Sequence, residues 1–175
     1  MTEKQEKIIT AALELFAEEG YRSTSTSKVA KRAGVSEGLI FRHFTNKDGL
    51  LDAIIKMGEE QAKALFADIV LEPDPKELIR KYIELFITVS KDQEAINFWK
   101  LQFKIKWELE IYGEHKMEAI KGALINAFEK LRYNHPEQEA NLLLTLMDGL
   151  ATRFILQQQF DMSETIEFLK QKYKV

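Results

Sequence analysis

There is no cysteine in this 175-residue chain, which removes disulfide frameworks, thiolate metal sites and cysteine nucleophiles together. Proline and glycine are scarce and fall in a telling order. Gly20, Gly34, Gly38, Gly49 and Gly58 crowd the first third, while Pro73, Pro75, Gly113 and Pro136 are spaced as separators of long elements. Long uncharged runs are missing too. Asp148 and Arg153 interrupt the apolar C-terminal segment, so no membrane span is expected. The opening "MTEKQEKII" is charged where a leader would need an apolar stretch, and a soluble cytoplasmic protein is expected. No Asn-Gly or Asp-Gly joins two alternating runs, so no hairpin is predicted.

Catalytic apparatus is equally thin. His43, His115 and His135 all lack the acid three residues earlier that helical carboxylate sites use. There is no phosphate loop and no Gly-x-Gly-x-x-Gly. A helical-bundle enzyme is the weaker alternative of a different class, and no metal or cofactor is expected.

Helical periodicity is what the chain has in abundance. The pattern predicts an all-α protein of about nine helices, at 4–19, 26–33, 37–44, 47–71, 75–91, 93–111, 114–133, 136–159 and 163–173. One stretch resists at first. "FWKLQFKIKWELEIYG", residues 98–113, alternates apolar and polar from Trp99 through Leu101, Phe103, Ile105, Trp107 and Leu109 to Ile111, the period of a half-buried strand. At 100° per residue the same positions form two opposed stripes, one of Trp99, Phe103, Trp107 and Ile111, the other of Phe98, Leu101, Ile105 and Leu109. Gly113 as a stop and the absence of a partner strand favour the helix. A helix with two apolar faces must pack on both.

Charge is unevenly spread. Net charge is −3, yet Arg22, Lys28, Lys31, Arg32, Arg42 and Lys47 stand against the single acid Glu37 between residues 21 and 47. A basic patch on an acidic chain suits a polyanionic partner, or else a solvated face. The same segment contains two short helices. Ser25 caps the first, around Val29, Ala30 and Ala33, and Gly34 ends it in a left-handed turn. Ser36 caps the second, whose Ile40 and Phe44 can pack inward at i, i+4, and Asn46 caps the long helix that follows. Two short helices joined by a three-residue turn with glycine describe a helix-turn-helix. The second helix then presents Glu37, Gly38, Leu39, Arg42 and His43 outward, where its first residues meet base edges.

"FAEEGYRSTSTSKVAKRAGVSEGLIFRHFTNKDGLL", residues 16–51, resembles the DNA-binding domain of the TetR family of transcriptional regulators. The likeness rests on the Phe-x-x-x-Gly-Tyr exit, the Ala-Gly-Val-Ser-x-Gly turn, the His-Phe pair and the Asn-Lys start of the linking helix. "MDGLATRFI", 147–155, resembles the Asp-Gly-Leu pattern of that family's dimerisation helix. The resemblance implies a three-helix DNA-binding domain at 1–46 and a helical effector-binding and dimerisation domain at 47–175. It implies phosphate or groove contacts at Ser25, Thr26, Ser27, Ser36, Glu37, Gly38, Leu39, Arg42, His43 and Lys47. One position departs: Phe41 stands where the family usually has a tyrosine, so it cannot donate to a phosphate. The expected function is a repressor that binds palindromic double-stranded operator DNA as a homodimer and responds to a small apolar ligand. A ligand-free architectural DNA-binder is the alternative.

Two further sets complete the reading. The aromatic stripe Trp99, Phe103 and Trp107, with Phe86, Tyr112 and Phe154, is the expected ligand site, against the plainer reading that these are core. Leu143, Met147, Leu150 and Phe154, with Ile166 and Leu169 on the last helix, are the expected dimerisation stripe.

Overall fold

A computed structural model describes residues 1–108, 117–157 and 160–175. The described residues form α-helices and no strand: α1 Glu3–Glu19, α2 Thr26–Ala33, α3 Glu37–Phe44, α4 Lys47–Val70, α5 Pro75–Val89, α6 Gln93–Glu108, α7 Glu118–Lys130, α8 Pro136–Leu156 and α9 Ser163–Tyr173. The disputed stretch is helical through Glu108. Leu109, Ile111, Tyr112 and Gly113 lie outside the described residues. None of the described helices is long and apolar enough to cross a membrane.

The chain divides into two compact units, Met1–Ala62 with Gln93–Tyr112, and Lys63–Asp92 with Gly113–Val175. The boundary expected at 46/47 therefore falls inside the first unit, which keeps the start of α4 and recruits α6.

In the first unit, α1 is opened by a capping box: Thr2 N–H donates to Gln5 Oε1 at 2.8 Å and Gln5 N–H to Thr2 Oγ1 at 3.3 Å. Its inward face, Ile8, Ile9, Ala12, Leu13, Leu15 and Phe16, meets Val29 and Ala30 of α2, Ile40 and Phe44 of α3, and Leu50, Leu51 and Ile54 of α4. Leu101 and Ile105 of α6 join this core, while Trp99 and Phe103 are half-buried and Trp107 is 72% exposed. The two stripes of α6 are thus used differently. Leu101 and Ile105 of one stripe are core, while Trp107 of the other faces solvent.

In the second unit Asp74 caps α5, accepting from Lys76 and Glu77 N–H at 2.9 Å each, with Pro75 at the first helical position. Helix α5 packs on α7 and α9, and α7 on α8. The core includes Ile79, Tyr82, Ile83, Ile120, Leu124 and Phe128, with Tyr173 against Phe128 at a ring separation of 5.4 Å. Leu143, Met147 and Leu150, and with them Ile166 and Leu169, are also buried in this unit. Phe154, the remaining residue of the expected dimerisation stripe, is half-buried. The apolar residues that α8 and α9 leave exposed are Leu142, Leu146, Leu156 and Phe168.

Candidate nucleic-acid interface

The helix-turn-helix is built by local capping. Ser25 Oγ accepts from Lys28 N–H at 3.2 Å, opening α2. Gly34 closes it at φ 67°, ψ 35°, a left-handed conformation that costs glycine little. Ser36 occupies the N-cap of α3; its side chain makes no capping bond and the residue is exposed. Asn46 Oδ1 accepts from Gly49 N–H at 2.8 Å to open α4. Between them Thr45 sits at φ 69°, an uncommon backbone for a β-branched residue. That turn sets where α4 departs from α3.

Inward anchors fix the outward face. Ile40 and Phe44 are buried, and Leu39 packs partly against the same core. Leu39 is thus shared between this core and the outward face. His43 is half-buried, its ring edge-on to Phe44 at 6.1 Å. The surface of α3 that faces solvent is Gly38, Phe41 and Arg42, with Glu37 half-exposed at its start; Ser25, Ser27 and Ser36 are exposed beside it. Phe41, set aside in the sequence because it lacks a hydroxyl, is 46% exposed on this face. Its signal was available: Phe41 lies one position after inward Ile40 and three after Gly38. A β-carbon on Gly38 would meet nothing within 4 Å, so the backbone there is open to whatever approaches.

The basic patch is less free than its composition suggests. Lys28 pairs with Glu19 at 2.6 Å, and Arg32 with Glu14 at 3.1 Å and Glu18 at 3.9 Å, all on α1. Lys47, expected at a phosphate, has partners inside the unit. Its Nζ donates to the carbonyls of Tyr21 at 2.9 Å and Thr24 at 3.0 Å and lies 4.3 Å from the Tyr21 ring centroid. The long stem folds back, and the ammonium ties the turn between α1 and α2 to the start of α4. Thr24 supports the same turn, its buried hydroxyl donating to Gly20 O at 2.9 Å. Tyr21 OH donates to Asp48. Burial first, then that bond, pushes the Tyr21 phenol well above its ordinary range. Lys31 and Arg42 remain exposed as contributors to the external field.

Sequence reasoning also missed the grip of α6 on this unit. Lys104 Nζ donates to Glu18 O at 2.7 Å, at the C-terminus of α1, and Glu108 Oε2 accepts from Arg22 N–H at 3.1 Å in the following turn. Their i, i+4 spacing was the available signal.

The expected ligand residues do not assemble into one described site. Trp99, Phe103 and Trp107 line one side of α6 in the first unit, with the rings of Phe103 and Trp107 6.4 Å apart. Phe86, buried, and Phe154, half-buried, belong to the second. Tyr112 lies outside the described residues. No group of His, Cys, Asp or Glu among the described residues is placed to hold a metal.

Residues 8–54 match the family profile described as "Bacterial regulatory proteins, tetR family". Among curated relatives, the chain is 31% identical over 185 residues to the HTH-type transcriptional regulator YuxN of Bacillus subtilis (strain 168), covering 86% of this chain and 64% of the relative. It is 37% identical over 90 residues to the fatty acid metabolism regulator protein of the same organism, covering 50% of this chain and 43% of the relative. The chain thus spans less than two thirds of these relatives. Among solved structures, the fatty acid degradation regulator FadR from Bacillus halodurans aligns over 99% of this chain and 95% of its own, with a TM-score of 0.75 at 20% identity. AibR, solved with isovaleryl coenzyme A and operator DNA, aligns over 94% of each chain with a TM-score of 0.68 at 18% identity.

Proposed function

Since the chain belongs to the TetR family of bacterial transcriptional regulators by its amino-terminal domain and its all-helical fold, we propose that it is a repressor that binds a palindromic operator as a homodimer and is released by a small apolar ligand. The observation that supports DNA binding best is the outward surface of α3. Ile40 and Phe44 hold the helix from behind, and Gly38, Phe41 and Arg42 are left free to enter a major groove. Ser25, Ser27 and Ser36 flank it at helix starts, where hydroxyls and backbone N–H groups suit phosphate oxygens. Its relatives are regulators, and the enzyme reading is set aside.

Selection from random duplex DNA by the purified protein tests this. An inverted repeat is expected, with affinity falling steeply as salt rises. Two charged contacts per subunit, from Lys31 and Arg42, correspond to a log–log slope on the order of −4. Salt-independent binding, or a monomer that binds as well as the dimer, overturns it.

The ligand proposal is supported by the half-buried aromatics of α6 and by the relative named for fatty acid metabolism, which makes acyl compounds the first class to titrate. Trp99 and Trp107 are the chain's two tryptophans. A ligand that regulates must bind the DNA-bound and DNA-free states with different affinity. Its titration should therefore shift tryptophan emission and release DNA over one concentration range. Compounds that perturb neither sink the proposal.

A further inference from the structure

Glu37 is the only acid of the otherwise basic segment from Tyr21 to Lys47, and it stands in the first turn of α3, at the edge of the surface proposed to meet DNA. A carboxylate there gains from the helix macrodipole, but that gain needs no partner from another helix. The structure supplies one. Thr26, the first residue of α2, donates its hydroxyl to Glu37 Oε1 at 2.6 Å, in a part-buried bond that joins the starts of the two helices. On a surface meant for phosphates an uncompensated anion is repelled. Its presence is favourable only where a donor waits for it.

Resting on the DNA-binding reading above, we propose that Thr26 and Glu37 form a reading pair. Thr26 is the positioning residue, Glu37 the acceptor, and cytosine the base selected. With Oε1 held by Thr26, Oε2 is the oxygen left to accept from a base. In the major groove the available amino donors are cytosine N4 and adenine N6, while guanine and thymine offer acceptors. Adenine sets its N7 acceptor beside the amino group, against the carboxylate, so cytosine is preferred. Guanine and thymine are rejected by facing lone pairs. The discrimination thus comes from repulsion as much as from attraction. Gly38 makes the reach sufficient. A carboxylate held back toward α2 extends less far, and the open backbone at Gly38 lets the start of α3 come close to the base edges. Tethering also removes side-chain freedom that an unheld glutamate would lose only on binding.

The test measures binding to the selected duplex with every base pair varied in turn, for the native protein, Thr26→Val, Thr26→Ser and Glu37→Gln, beside an unrelated duplex. The native protein should prefer cytosine at one position of each half-site by about tenfold. Thr26→Val should reduce that preference to about threefold or less at that position alone, and Thr26→Ser should restore it. Glu37→Gln should move the preference toward adenine, which glutamine reads through N6 and N7. Full retention of the cytosine preference in Thr26→Val overturns the pair. So does an equal loss at all positions that serine does not restore. If Thr26→Val is poorly folded, Glu37→Gln decides, and an unmoved base preference there overturns the proposal. A native protein that binds duplex DNA without a cytosine preference defeats the reading pair and leaves the DNA-binding proposal standing. One that binds no duplex defeats both.

Discussion

At the scale of single residues, the polar groups around the first turn do structural duty that their charges alone would not reveal. Lys47 illustrates the point: its ammonium serves two carbonyls and an aromatic face, and hydrogen bonds to a charged donor contribute about 1.5–3 kcal/mol each where they are sheltered. Lys47 is half-exposed, so Lys47→Ala is expected to lower stability by about 1–2 kcal/mol in denaturant unfolding. The salt slope of DNA binding should change little; a slope flattened by a full unit with stability intact would return Lys47 to the phosphates. The buried phenols make a second expectation. Tyr82 is held above its ordinary range by burial first and then by the charge of Asp148, and Tyr173 by burial first and then by Glu139. A phenol whose native pKa exceeds its unfolded value keeps its proton in the fold while the unfolded chain sheds it. Its stabilisation is complete below the unfolded pKa of about 10 and is lost as pH climbs toward the native one. The melting temperature should therefore fall as pH rises past about 10, and Tyr82→Phe should make that fall shallower. An identical pH slope in the variant would remove Tyr82 from the account.

At the scale of elements, the junctions decide more than the helices. Gly49 lies in the first turn of α4, where a β-carbon would come within 2.1 Å of Phe44 O, a backbone atom that cannot swing aside. Alanine is favoured over glycine inside a helix by about 1 kcal/mol, but here the steric cost wins, since overpacking against a fixed neighbour costs about 1–3 kcal/mol. Gly49→Ala is expected to unfold at lower denaturant than the native protein, and a stabilised variant would show that the α3–α4 turn is slack. Helix α6 is the second junction. Lys104 satisfies a carbonyl at the C-terminus of α1, where a cation is favoured, and Glu108 accepts a turn N–H just beyond it. Glu108→Gln keeps the shape and weakens the acceptor, so the Arg22 amide should exchange its hydrogen faster while the Ile8 amide in α1 does not; unchanged exchange at Arg22 would make the contact incidental. How much of this was legible follows from the same places. Capping residues Ser25, Gly34 and Asn46 announce the helix-turn-helix because capping is local chemistry. The face of α6 that meets α1 was not announced, because both of its stripes are apolar and periodicity carries no information on which neighbour each one finds. Lys47 is a related case: a count of charges cannot see a flexible stem folding back onto carbonyls.

At the scale of the whole molecule, the same ambiguity governs assembly. Helix α8 carries two apolar faces. One holds Leu143, Met147 and Leu150, which the protomer buries in itself. The other, obtained by stepping Leu142, Leu146, Gly149, Arg153 and Leu156 at helical spacing, is open, and α9 adds exposed Phe168. The i, i+4, i+7 rule finds both and ranks neither. Since a chain must fill its own core before it can recruit a second copy, the outward face is the one we propose for the homodimer. Gly149 sits in its middle with nothing within 4 Å of where a β-carbon would stand, which lets two such helices approach closely across a two-fold axis. Opposite outcomes are expected for neighbouring leucines. Leu143 is 0% exposed, and Leu143→Glu would strand a charge in the core, leaving the protein largely unfolded by circular dichroism. Leu146 is 38% exposed, and Leu146→Glu should leave the fold and the melting curve nearly unchanged while sedimentation shows a monomer. That folded monomer should also lose most of its affinity for an inverted repeat, because two half-sites held by one rigid dimer bind with an effective concentration that separate protomers lack. Gly149→Leu should act like Leu146→Glu by wedging the helices apart. A Leu146→Glu protein that remains a dimer places the two-fold axis elsewhere on the surface, and one that is monomeric yet binds the repeat undiminished severs assembly from DNA recognition.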